Sequence, residues 1–111
     1  MHESAYDLSF DEAVRDFCDD QEYKGNSPAT VRYYRSNLGR FQRDAEIAAI
    51  SDFSERKIRR WLVSHRDVSS ATLATYDRCL RVFARWLHHR GYVDCNPMAN
   101  LSKPRNKTRP I

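Results

Sequence analysis

Apolar side chains recur along this chain at alternating steps of three and four, the spacing that places them on one stripe of a helix at about 100° per residue. Four such stripes are present. The first comprises Phe10, Ala13, Val14, Phe17 and Cys18; the second Val31, Tyr34, Leu38, Phe41 and Ala45; the third Ile58, Trp61 and Leu62; the fourth Leu73, Tyr76, Leu80, Phe83 and Leu87. Strand-like alternation is nearly absent, so the expected fold is all-α, a four-helix orthogonal bundle closed by a short C-terminal helical turn.

The polar residues at the stripe ends say where each helix starts and stops. Ser9-x-x-Glu12 is a capping box, with Asp11 and Glu12 suited to the positive helix terminus. Ser27 precedes Pro28, which sits where a missing N–H costs nothing, and the second helix is expected to run to about Ala45. Ser54 caps a short third helix ending near His65, and Ile47, Ile50 and Phe53 before it are expected to tuck onto the core. Ser69 or Ser70 starts a fourth helix of about 30 Å that Gly91 stops. Tyr92 and Val93 are placed to cover the end of the core, and Asn96-Pro97 opens one turn, Met98 to Leu101.

The second and fourth helices begin with one phrase. Ser27, Ala29, Thr30, Val31, Tyr34, Leu38 and Phe41 are matched at a constant offset by Ser69, Ala71, Thr72, Leu73, Tyr76, Leu80 and Phe83. Two copies are too few for a solenoid, so the repeat predicts two similar helices sharing one core.

At 111 residues there is room for one domain. The net charge of +4 hides a division: residues 1–22 hold eight acids and one base, and residues 23–111 seven acids and eighteen bases, giving −7 and +11. The acid side chains of the first helix, Asp16, Asp19 and Asp20, are expected to face outward and away from any polyanion. The second helix instead gathers Arg32, Tyr33, Ser36, Arg40 and Arg43 opposite its stripe, with no acid before Asp44. The fourth carries Arg78, Arg81 and Arg85 opposite its own, with Ala71 and Ala74 leaving room for close approach. Arg forks onto phosphate or guanine, Ser bonds either, and Tyr adds a phenol and a stackable ring. Arg56, Lys57, Arg59 and Arg60 wrap around the third helix without choosing a side and read as solvated surface.

Candidate chemistry is sparse. Cys18, Cys79 and Cys95 form no ligand or disulfide pattern and are expected to be reduced thiols, the first two packed as small hydrophobes. His2, His65, His88 and His89 have no metal-ligand spacing and read as surface residues; the three glycines are isolated, so no phosphate-cradling loop is present. No cofactor is expected. No apolar run is long enough for a membrane span and no signal pattern opens the chain, so a cytoplasmic protein is expected.

Taken in order, Leu8-Ser9-Phe10, Ser27 to Tyr34 with Leu38 and Phe41, Ile58 with Leu62, Ser69 to Tyr76, Phe83-Ala84-Arg85-Trp86-Leu87, Gly91-Tyr92 and Asn96-Pro97 resemble the N-terminal core-binding domain of tyrosine recombinases, the phage-integrase family, a SAM-like helical domain. The resemblance covers the whole patterned chain. It implies a bundle that clamps double-stranded DNA together with a separate C-terminal catalytic domain, its second and fourth helices meeting the major groove and nearby phosphates. Carried onto this sequence, it implies DNA contacts from Thr30, Arg32, Tyr33, Ser36, Arg40 and Arg43, and from Ser70, Thr72, Thr75, Arg78, Arg81 and Arg85. Thr30 and Thr72 stand in first turns, where a hydroxyl serves capping as readily as phosphate. Lys103, Arg105 and Lys107 resemble the strap joining the two halves of the clamp.

These readings divide the chain into a tail (1–8), the helical domain (9–101) and a basic linker (102–111) leading to a catalytic domain. That domain would supply an arginine pair, a lysine, a His-x-x-Arg element and the nucleophilic tyrosine. No His-x-x-Arg occurs here, so the chain is expected not to cut DNA by itself. Recombinase protomers, assembled as a tetramer on DNA, are further expected partners. The competing reading is a helical protein-interaction module that docks a basic partner on its acidic first helix.

Overall fold

The computed structural model describes residues 7–65 and 67–102. Four helices, α1 (Phe10–Tyr23), α2 (Pro28–Ala45), α3 (Glu55–Ser64) and α4 (Ser70–His89), and a 3-10 turn at Ile50–Asp52 make up the fold. No strand occurs among the described residues; Ser9 and Ala49 form an isolated antiparallel bridge. Tyr6, Arg66, Lys103, Arg105 and Lys107 lie outside the described residues, as do most of the N-terminal tail and the basic strap.

Each helix starts at the serine its sequence offers. Ser9, Ser27, Ser54 and Ser69 adopt extended backbone, and each hydroxyl accepts the N–H of the residue three positions on. In α1 the capping box is complete, with Glu12 Oε1 accepting the Ser9 N–H in return. The shared phrase produces closely matching entries: Ser27 has φ −67° and ψ 156°, Ser69 φ −62° and ψ 155°. Gly91, at φ 83°, lets Tyr92 N–H reach the Leu87 carbonyl at 2.9 Å, a six-to-one closure that needs a left-handed residue.

The two copies of the phrase meet in one aromatic core. Phe41 and Phe83 are both fully buried, and Phe10 and Phe53 sit between them, with ring centroids 5.3 to 6.1 Å apart. Phe17 adds edge contacts at 5.3 Å to Tyr34, Phe83 and Trp86. Each such pair adds about 0.5–1.5 kcal/mol beyond the area it buries.

The α2–α3 connection is stitched to the start of α1. Phe10 N–H donates to the Ala48 carbonyl at 3.0 Å and Ile50 N–H to the Leu8 carbonyl at 2.9 Å, while Ser51 bonds the Asp7 carboxylate through its amide and its hydroxyl. Asp52 accepts the N–H groups of Ala48 and Ala49, and those backbone bonds hold its carboxyl below the usual range. This stitching seats Ile47, Ile50 and Phe53 in the core.

At the C-terminal end the expected helical turn is instead a pair of hydrogen-bonded turns, Ala99 N–H to the Asn96 carbonyl and Leu101 N–H to the Met98 carbonyl. Pro97 follows the Asn96 side chain, which accepts the Met98 N–H, and Met98 is driven fully into the core.

Candidate nucleic-acid interface

The N-terminal halves of α2 and α4 meet at Tyr33. Its phenol lies near the Thr75 hydroxyl and the Cys79 thiol, with Arg78 close by; partial burial raises its pKa, while Thr75 and the Arg78 charge oppose that rise. Three residues implied as DNA contacts are thus brought to one seam. Asn37, which the sequence reading passed over, steadies the same turn by donating from Nδ2 to the Tyr33 carbonyl at 2.8 Å.

Around this seam Arg32, Arg40, Arg78 and Arg85 are exposed. Thr30 and Thr72 occupy equivalent positions, each hydroxyl accepting from the capping serine, at 3.1 Å from Ser27 and 2.9 Å from Ser69. Ser70, half-buried, opens α4 beside them. Ser36 and Arg43 lie about 60–80° around α2 from Tyr33 and line a cleft between α1 and α2.

Arg81 is placed differently from Arg78 and Arg85. Its Nε donates to Asp77 Oδ2 at 2.8 Å, and its two terminal nitrogens reach the carbonyls of Met98 at 3.4 Å and Leu101 at 2.7 Å. Asp77 is only 4% exposed, and its second oxygen has no hydrogen-bond partner among the described residues. A buried carboxylate requires a cation, and Arg81, one turn on, supplies it. The basic stripe read from periodicity is thereby reduced: one member ties the turns after α4 to the helix.

The outward acidic face expected of α1 is corrected as well. Asp20 Oδ2 accepts the Trp86 indole N–H at 3.0 Å and an ion pair from Lys24 at 3.2 Å; the indole bond, then Lys24, lower its pKa. Asp16 accepts from the Tyr92 hydroxyl at 2.6 Å. Asp20 therefore holds the end of α4 against α1, because the buried Trp86 indole needs a polar partner at the rim of the core, and Asp16 holds the turn that follows α4. Asp19 is the exposed one. A parallel arrangement joins α2 to α3, where Asp44 Oδ2 accepts the Trp61 indole N–H at 3.1 Å.

His65 also departs from its expected place on the surface. Its ring packs on Trp61 and Tyr76, with centroids at 4.6 and 5.5 Å, and Nε2 lies 3.6 Å from Asp44 Oδ2. Cys18 and Cys79 are buried, and that burial pushes both thiols up; Cys95 is exposed. On α3 the basic run is largely solvated as expected, with Arg59 paired to Glu55 at 2.9 Å. Among the described residues no helix is long and apolar enough to cross a membrane.

The geometry can be set beside known proteins. A family model described as "Phage integrase, N-terminal SAM-like domain" matches residues 16–91, from the middle of α1 to the glycine that stops α4. Two curated relatives are tyrosine recombinases named XerC: that of Oceanobacillus iheyensis is 31% identical over 79% of this chain, and that of Corynebacterium efficiens 34% identical over 85%. The chain spans about three-tenths of the length of each, 30% and 31% respectively. An integrase from mycobacterium phage Brujita shares the fold, with a TM-score of 0.77 over 98% of this chain and 36% of that one, at 22% identity. With a family match running through all four helices, the chain belongs to the phage integrase N-terminal SAM-like domain family.

Proposed function

We propose that this chain is the DNA-holding N-terminal unit of a tyrosine recombinase, and that it grips duplex DNA along the joined faces of α2 and α4. One observation carries the reading. From Pro28 to Arg43 and from Ser70 to His89 the sole acid is Asp77, and Asp77 is buried against Arg81. The exposed parts of these two segments therefore present cations, hydroxyls and small side chains without an intervening carboxylate, as a polyanion requires.

Within that surface Arg32, Arg40, Arg78 and Arg85 take phosphates, and Tyr33 with Thr75 marks the centre of the contact. Ser36, Arg43, Ser70, Thr30 and Thr72 flank it, and Lys103 and Arg105 form the strap toward a catalytic domain. Strand cleavage belongs to that domain, where a tyrosine nucleophile retains the phosphodiester energy in a covalent link until rejoining. This unit positions the duplex and does not cut it. Recombinase protomers assembled on the same DNA complete the reaction.

The interaction-module reading is weakened by the internal work of Asp16 and Asp20, which leaves Asp19 as the exposed member of that trio.

An NMR titration with a short mixed-sequence duplex tests the proposal. Shifts concentrated in residues 27–43 and 69–85 and reversed by salt are expected. Shifts centred on α1, or none at low salt, overturn it. With six phosphate contacts, log K falls against log salt with a slope of roughly −5.

A further inference from the structure

The first 22 residues contain one base, Arg15, and the fold does not leave it in the acidic company of its neighbours. Arg15 lines a cleft of ≈ 720 Å³ between α1 and α2, together with Arg35 and Arg43. All three guanidinium groups belong to exposed residues, and none makes an ion pair among the described residues. Arg35 approaches the Cys18 thiol, a weak acceptor, and among the described residues Asp11 is the one acid on the cleft wall. Gly39 keeps the wall low beneath Arg43: a Cβ there would stand 3.5 Å from Arg43 Nη1.

Three like charges around one concavity repel one another, and one carboxylate offsets only part of that repulsion. An anion seated among them reverses the sign of the interaction. The guanidinium fork matches phosphate oxygens in pairs, and the Ser36 hydroxyl on the same wall adds a donor.

We infer that the α1–α2 cleft is a phosphate-binding site, built by Arg15, Arg35 and Arg43, that receives a backbone phosphate of the duplex beyond the α2–α4 face. The inference rests on the DNA-holding reading for its source of phosphate. Continuity supports that source, because Ser36 and Arg43 stand on the arc of α2 next to Tyr33 and Arg40. The duplex is then held from three helices, with α1 contributing through its one base.

The test uses this chain and a fluorescent duplex, with affinity measured across a range of salt. Arg15→Gln with Arg35→Gln is expected to flatten the salt slope by about one, the share of the single phosphate the cleft holds, and to weaken binding at least about ten-fold at 0.1 M salt. Equal slopes and affinities for wild type and a folded variant overturn the inference. Should the Arg35 change unseat Cys18 and lower the melting temperature, Arg15→Glu alone carries the test, because Arg15 is exposed and makes no ion pair among the described residues.

Pyrophosphate alone, followed through the Arg15 and Gly39 amide resonances, separates the cleft from the α2–α4 reading. If wild type fails to bind the duplex, the DNA-holding reading falls. Saturable pyrophosphate shifts that Arg15→Glu abolishes then sustain the cleft as a site for free phosphates, and absence of those shifts overturns it.

Discussion

Trp86 on α4 and Asp20 on α1 are joined by an indole-to-carboxylate hydrogen bond of 3.0 Å, made between residues 66 positions apart in the chain. The ring packs edge-on to Phe17 and stacks at 6.1 Å on Phe83, while Arg90 lies over it at 5.4 Å from the centroid. One side chain thus fastens the last turns of α1 and α4, and the acid that receives it is not available as free acidic surface.

This relationship gives the three acids of α1 different fates. Asp20→Arg and Asp16→Arg are expected to lower the melting temperature, the first by displacing the indole N–H and setting a cation beside Arg90, the second by removing the Tyr92 acceptor. Asp19→Arg is expected to change stability by no more than about 0.5 kcal/mol, as for an ordinary exposed site. Thermal melts of the three single variants check the ordering, and equal behaviour of all three removes Asp16 and Asp20 from the fold.

The same bond carries a pH dependence. The folded-state pKa of Asp20 is depressed by the Trp86 bond and then by Lys24, so the unfolded chain takes up a proton first on acidification. The stabilisation is present above the ordinary aspartate range near about 3.9 and is lost as pH falls through and below it. Asp52, depressed by the Ala49 and Ala48 amides, has the same sign. Urea unfolding at pH 6 and pH 3 should therefore show Asp20→Asn losing less stability than wild type on acidification.

Arg81 and Arg85 share a helix and a charge but are expected to fail differently. Arg81→Ala strips the cation from buried Asp77 and releases the Met98 and Leu101 carbonyls, at a cost of about 3 kcal/mol. Arg85→Ala should leave the melting temperature alone and weaken duplex binding, with the salt slope shallower by about one. Melting and anisotropy measured on both variants separate the roles.

Two glycines give opposite predictions under the same substitution. Gly39 lies inside α2 with ordinary space for a methyl group, so Gly39→Ala is expected to stabilise the fold by about 0.5–1 kcal/mol. Gly91 has φ 83°, and Gly91→Ala is expected to destabilise by about 1 kcal/mol by straining the closure on Leu87. Chemical denaturation of each variant reads the sign directly.

Helix existence, bounds and buried stripes were legible in the residues because they are local. A hydroxyl three positions before an amide caps it whatever the rest of the chain does, which is why Ser9, Ser27, Ser54 and Ser69 all start helices and α2 spans Pro28–Ala45 as expected. Apolar spacing near 3.6 selects a face without reference to a partner, so Leu38, Phe41, Leu80 and Phe83 are buried where periodicity puts them.

Polar side chains near the edge of a stripe obey no such local rule. Helical phase sets Asp20 and Asp77 beside the apolar face, but only the packing of α1 against α4 brings Trp86 to Asp20, and only the returning chain at residues 98–101 gives Arg81 its carbonyl acceptors. Tertiary structure likewise carried His65 onto the Trp61 and Tyr76 rings, and brought Arg15 of the acidic helix to a cleft with Arg35 and Arg43. The sequence by itself determined which segments coil and which of their faces turn inward, through short-range spacing and capping. The tertiary structure decided which charges remain available to a ligand, because long, flexible side chains choose partners that lie close in space and far away along the chain.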